Sequence, residues 1–112
     1  MNPLRVKANK NHTNAYILSY CANANFAISK DEAEFIKNKT SVSNLSAIQC
    51  AINKNTDYQT IDHILNLIVA SQYTRNDKKH LIEDLKELVN IGKDYNLLKY
   101  NTFRALKYFL RS

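Results

Sequence analysis

Glycine and proline are almost missing from this chain: Gly92 and Pro3 are the only ones in 112 residues, where average usage would supply about 8 and about 6. Strand-rich domains draw on both residues for hairpin turns, bulges and edges, so a β fold has no material for its connections. The apolar residues recur instead at intervals of three and four, the period of an amphipathic helix. A hydrophobic fraction of 45% against 23% charged residues is enough for a core and too apolar for a disordered chain. The length suits one domain. We therefore expect an all-α protein, a compact bundle or orthogonal array of five to six short helices, with residues 1–12 as a flexible basic arm and 13–112 as a single helical domain.

Cap residues and apolar stripes place the helices. Thr13 or Asn14 can open a first helix running to about Phe26, with Ala15, Leu18, Ala22 and Phe26 on one stripe and Asn23 and Asn25 weakening its end. Ser29 followed by Glu32 is a capping box for a helix over residues 30–39, with Ala33, Phe35 and Ile36 inward. Ser41 or Ser43 can open the next, which carries Leu45, Ile48, Ala51 and Ile52 at helical spacing. Thr56-Asp57 starts the helix with the longest apolar repeat, Ile61, Ile64, Leu65, Ile68 and Val69, and this one is expected at the centre of the fold. Thr74 or Asn76-Asp77 opens another with Leu81, Ile82, Leu85, Leu88 and Val89 inward, closed by Gly92. A last helix from Asn96 or Asn101 to Leu110 puts Phe103, Leu106, Phe109 and Leu110 on one face.

The residues that carry enzyme chemistry are not assembled in the sequence. His12, His63 and His80 sit in separate elements, none with a second His or Cys at metal-ligand spacing, so no metal is expected. No Ser lies in a nucleophile-elbow motif, and one glycine cannot make a phosphate-cradling loop. We expect no catalytic residue, no cofactor and no small-molecule substrate. Cys21 and Cys50 lack CxxC spacing and are too few for a disulfide framework, so both read as buried thiols in a reducing compartment. The apolar run from Ile61 to Ala70 is broken by Asp62, His63 and Asn66 and falls far short of the roughly 20 residues of a membrane span. Arg5, Lys7 and Lys10 ahead of residues 15–18 sketch an export signal, but the apolar segment is shorter than the required 7 to 15 or so residues and Tyr20 spoils a lipoprotein-type site before Cys21. The expected location is cytoplasmic.

Charge is the informative feature. The chain carries +6, and residues 93–112 hold five cations, Lys93, Lys99, Arg104, Lys107 and Arg111, against Asp94 alone, which is +4 of that total. At about 100° per residue Arg104, Lys107 and Arg111 share a narrow sector with Tyr100, bordered by Tyr108, while Phe103, Leu106 and Leu110 occupy another. Such a helix docks by its apolar side and presents a basic stripe edged with tyrosine, suited to phosphate contacts and base stacking. Arg5, Lys7 and Lys10 add a second basic segment that can extend the same face. Lys99, Tyr100, Arg104, Lys107, Tyr108 and Arg111, with Arg5, Lys7 and Lys10, are the expected binding residues. Arg75, Lys78, Lys79 and His80 form a third cluster that opposes the dipole at a helix start, with Asp77, Glu83 and Asp84 at hand to offset it. Residues 37–49 could also place two short helices as a helix-turn-helix, without the usual turn glycine. The reading that joins these features is a small non-enzymatic regulatory protein that binds nucleic acid through an electropositive helical face. The alternative is a protein-binding module of the immunity, antitoxin-like or anti-activator kind, docking on an acidic partner through its C-terminal helix. A homodimer is compatible with either.

Overall fold

Three of the helices begin on a reciprocal cap of the kind the sequence advertises. In a computed structural model that describes residues 10–24, 28–91 and 97–111, the elements are α1 (Lys10–Ala22), α2 (Lys30–Thr40), α3 (Leu45–Lys54), α4 (Asp57–Ala70), α5 (Arg75–Val89) and α6 (Leu97–Arg111). The Ser29 hydroxyl accepts the Glu32 N–H at 3.1 Å and the Glu32 carboxylate accepts the Ser29 N–H at 2.9 Å. Thr56 with Gln59 and Thr74 with Asp77 repeat that exchange at the starts of α4 and α5. No strand occurs among the described residues, and the protein is all-α.

Where the boundaries differ from the sequence reading, a competing backbone requirement decides. α1 begins at Lys10, so residues 10–12 belong to the helix rather than to a basic arm, and it ends at Ala22 instead of near Phe26, which lies outside the described residues. Thr13 does not cap α1, because its hydroxyl is buried and hydrogen-bonded to Ser71 at 3.0 Å. Ser41 closes α2 instead of opening α3: at φ 60° it holds the left-handed conformation that ends the helix and donates its N–H to the Lys37 carbonyl. With glycine so scarce, Ser41 and Gln72, at φ 55°, take positions that a glycine would occupy without strain. Gly92 and Asn96 lie outside the described residues, and Asn90 follows the last turn of α5.

The centre of the fold is α1, which corrects the expectation that α4 would lie there. α1 packs against every other helix. Ala15, Tyr16, Ile17, Leu18, Ser19, Cys21 and Ala22 are all buried, on every side of the cylinder. Beyond its exposed first turn, Lys10 to His12, the helix has no wet face and so carries no amphipathic signature, and this is why periodicity underrated it. Ala15, Ser19 and Ala22 form a stripe of small residues that lets a neighbour approach closely, with Leu18 at its border, while Ile17 fills the opposite side. α4 buries only Thr60 and Ile64; Val69 is 76% exposed and Tyr58 81%. The core is completed by Ile36, Leu45, Ile48, Ile52, Leu81, Leu85, Leu88, Phe103, Leu106 and Leu110.

Polar ties fix α1 to its neighbours. The Asn23 amide donates to Asn53 at 2.8 Å and accepts from Gln49 at 3.2 Å, which joins the end of α1 to α3. Tyr73 donates to Asn14. The two thiols part company. Cys21 is buried, and desolvation pushes its thiol up to about 12, whereas Cys50 is exposed, correcting the expectation that both are buried. The phase of α3 explains it, since Leu45, Ile48 and Ile52 define the inward sector and Cys50 falls roughly 150° from it. A thiol reagent at neutral pH is therefore expected to modify one cysteine, Cys50, in the folded protein and the second only after denaturation; two rapidly reacting thiols in the native state would contradict this burial.

Candidate functional site

The basic stripe of α6 is real as a surface, and it is wider than α6. Phe103, Leu106 and Leu110 are buried, so Arg104, Lys107 and Arg111 are turned outward by the helical period. With Tyr100, Phe103 and Tyr108 they line an open depression of about 520 Å³. Tyr108 is 74% exposed and stands edge-on to Phe109. The Lys107 ammonium lies 5.9 Å from the centre of the Phe103 ring, a cation–π contact that holds its alkyl stem against the helix.

A second groove, of about 710 Å³, runs between α6 and α5 and shares Lys107 and Arg111 with the first. Its other wall is Arg75, Lys78, Lys79, Ile82, Glu83 and Lys86 of α5, with Leu110 between. Across the two grooves seven cations meet one carboxylate, Glu83, and none of the seven forms an ion pair among the described residues. The other acids of α5 are turned away. Asp77 pairs with Lys10 of α1 at 2.7 Å, and Asp84 and Glu87 face Lys39 of α2 at 3.7 and 3.6 Å. The fold thus sorts the charges of α5, anions toward the neighbouring helices and cations toward α6, so that the positive potential of the groove is not cancelled locally.

The structure brings together only part of the expected set. Tyr100, Arg104, Lys107, Tyr108 and Arg111 share one surface. Lys99 does not: its Nζ donates to both carboxylate oxygens of Glu32 at 2.8 and 2.9 Å, with the two side chains only 14% and 5% exposed. Lys99 lies four residues before Phe103 on the buried side of α6, where it fastens that helix to α2. Lys10 is likewise engaged, by Asp77, whose carboxyl is held down to about 2 first by the Lys10 hydrogen bond and then by the Thr74 N–H it accepts. Arg5 and Lys7 lie outside the described residues.

The α5 half of the site was open to the sequence reading and outweighed there. Arg75, Lys78, Lys79, Ile82 and Lys86 recur at three and four residues on one stripe, beside the buried Leu81, Leu85 and Leu88. What the sequence could not supply is that α5 and α6 lie side by side. The helix-turn-helix expectation fares differently. α2 and α3 pack chiefly on α1, and Gln49, which would have faced a base edge, is bonded to Asn23. No group of three or more His, Cys, Asp or Glu side chains that could hold a metal ion occurs among the described residues, and no helix among them is long and apolar enough to cross a membrane. No family model, curated protein or solved structure matches the chain.

Proposed function

We propose that the protein is a small, non-catalytic regulatory protein of the cytoplasm that binds nucleic acid by its phosphates in the cleft between α5 and α6. The observation that carries this reading is the pair of adjoining grooves in which seven cations have no ion-pair partner among the described residues and face one acid. Unpaired Lys and Arg side chains on rigid helices are the groups that displace condensed counterions from a phosphate backbone. Exposed Tyr108, and Tyr100 beside it, add flat apolar faces on which bases can stack. The long stems of Lys79 and Lys86 also let the ammonium groups follow an irregular backbone, as a sequence-tolerant contact requires. The exposed thiol of Cys50 suits a reducing compartment.

Binding of a labelled duplex and a labelled single strand, each measured across a salt series, tests this directly. If about four phosphates are neutralised, affinity for the duplex falls with a log–log slope near −3.6, about a hundredfold between roughly 50 and 200 mM salt. The Arg104→Ala/Lys107→Ala/Arg111→Ala variant is expected to flatten that slope by about 2 to 3 and to weaken binding at least tenfold at low salt. Lys79→Ala/Lys86→Ala, on the other wall, should lower the slope by up to about 2. Absence of binding at low salt would refute the proposal and turn attention to an acidic protein partner on the same helix, whose affinity would rest on apolar anchors such as Tyr108 and vary less with salt.

A further inference from the structure

α4 is amphipathic twice over. Its inward side carries Thr60, Ile64, Leu67, Ile68 and Ser71, while a second apolar stripe, Tyr58, Ile61, Leu65 and Val69, recurs at three, four and four residues beside it, adjoining the inward side at Ile61 and turning to the surface at Tyr58, Leu65 and Val69. Tyr58, Leu65 and Val69 are exposed, and Ile61 is half-buried. The stripe continues onto α6, where Leu98, Ala105 and Phe109 line a shallow groove together with Ile61 and Tyr20. On α6 this apolar side lies roughly 150° round the helix from Arg104, Lys107 and Arg111, so the two surfaces do not overlap. A monomer gains nothing by holding Tyr58, Leu65, Val69 and Leu98 in water on one face.

We propose that this face is a homodimer interface in which the α4 helices of two copies pack antiparallel. Three observations select a second copy as the occupant. The chain carries +6, so two copies repel unless they meet where cations are missing, and residues 57–74, the whole of α4 and its exit turn, contain no Lys or Arg. The stripe is self-complementary: in an antiparallel pair centred between Ile61 and Leu65, the large Tyr58 of one copy lies opposite the small Val69 of the other, at both ends of the contact. The exposed parts of Tyr58, Leu65, Val69 and Leu98 amount to on the order of 500 Å² per copy, so that two such faces, fully covered, bury at most about 1,000 Å² in all from these residues, the lower bound of a specific interface. Asp57 and Asp62 sit at the margin of the stripe, where a polar rim belongs. The arrangement leaves both basic grooves uncovered, and it does not depend on what those grooves bind.

Sedimentation velocity under reducing conditions, with the full chain from about 1 to about 500 µM, tests the proposal. An interface of this size predicts a reversible rise in weight-average mass from 12.9 kDa toward twice that value, at concentrations above roughly 10 µM. Added salt should favour the dimer by screening the repulsion between copies, the opposite of its effect on polyanion binding. Leu65→Glu/Val69→Glu is expected to remain monomeric at the highest concentration with its helical circular dichroism intact. Val69→Lys, at the more exposed position, gives the same readout should the double variant fold poorly. The Arg104→Ala/Lys107→Ala/Arg111→Ala variant should dimerise as the parent does. A monomer at every concentration, or a dimer that Val69→Lys leaves unchanged, would overturn the proposal.

Discussion

Glu32→Ala is expected to lower the stability of the protein by about 3–5 kcal/mol, the range found when one member of a buried ion pair is removed. Glu32 has two duties on one carboxylate. Its Oε1 accepts the Ser29 N–H that begins α2, and both oxygens receive the Lys99 ammonium from α6. Truncation would strip α2 of half its capping box and leave a cation nearly enclosed beside Cys21, whose thiol donates to the Lys99 carbonyl at 3.5 Å. Urea denaturation followed by circular dichroism reads the effect as a fall in midpoint at unchanged slope. Glu32→Gln should recover about 1 kcal/mol, because the amide oxygen can still accept the capping N–H while the ion pair is lost. Removing both charges, as in Glu32→Met with Lys99→Met, should cost less than Glu32→Ala alone, since no buried charge is then left uncompensated. A loss below about 1 kcal/mol for Glu32→Ala would show the pair to be solvated as a surface bridge is.

The second large effect separates α1 from α4. Ile17→Ala is expected to cost about 2–5 kcal/mol, since the side chain is fully buried and the helices packed round α1 can close the resulting cavity only in part. Val69→Ala, measured at about 1 µM so that self-association does not contribute, should change stability by no more than about 0.5 kcal/mol. The sequence pattern alone ranks these residues the other way, because Val69 belongs to the longest apolar repeat in the chain and Ile17 lies between Tyr16 and Leu18 in a segment with a weak stripe. Chemical denaturation of the two variants beside the parent decides the order.

That inversion marks what a single sequence can and cannot carry. Element existence and starts were legible wherever a local rule governs: Ser29, Thr56 and Thr74 each cap the helix they precede, because the exchange of hydrogen bonds involves residues three apart. The inward faces of α3, α5 and α6 followed from periodicity, since each of these helices has one dry side and one wet side, except that Ile82 and Phe109, expected inward, are half-buried at groove margins. Past its first turn α1 has no wet side, and α4 carries two adjoining apolar stripes of which one is exposed, so neither pattern reports where the helix lies. The charged residues divide in the same way. That Arg104, Lys107 and Arg111 share a sector of α6 is a property of the helix repeat. That Lys99 is consumed by Glu32, 67 residues earlier, and that Lys79 and Lys86 stand across a cleft from Lys107, are properties of packing.

The order of the helices along the chain sets a condition on how it can be made. The segment that becomes α1 leaves the ribosome before the five helices that cover it, and its last partner, α6, begins some 75 residues after α1 ends. At roughly 5–20 residues per second, that interval lasts several seconds. For that time Ile17, Leu18 and Cys21 have no finished site to occupy, and the nascent chain must keep them from associating with other apolar surfaces until α5 and α6 emerge. The enclosure of α1 is then completed by α5 and α6, and any pause in translation before α6 prolongs the exposure of the most deeply buried helix of the molecule.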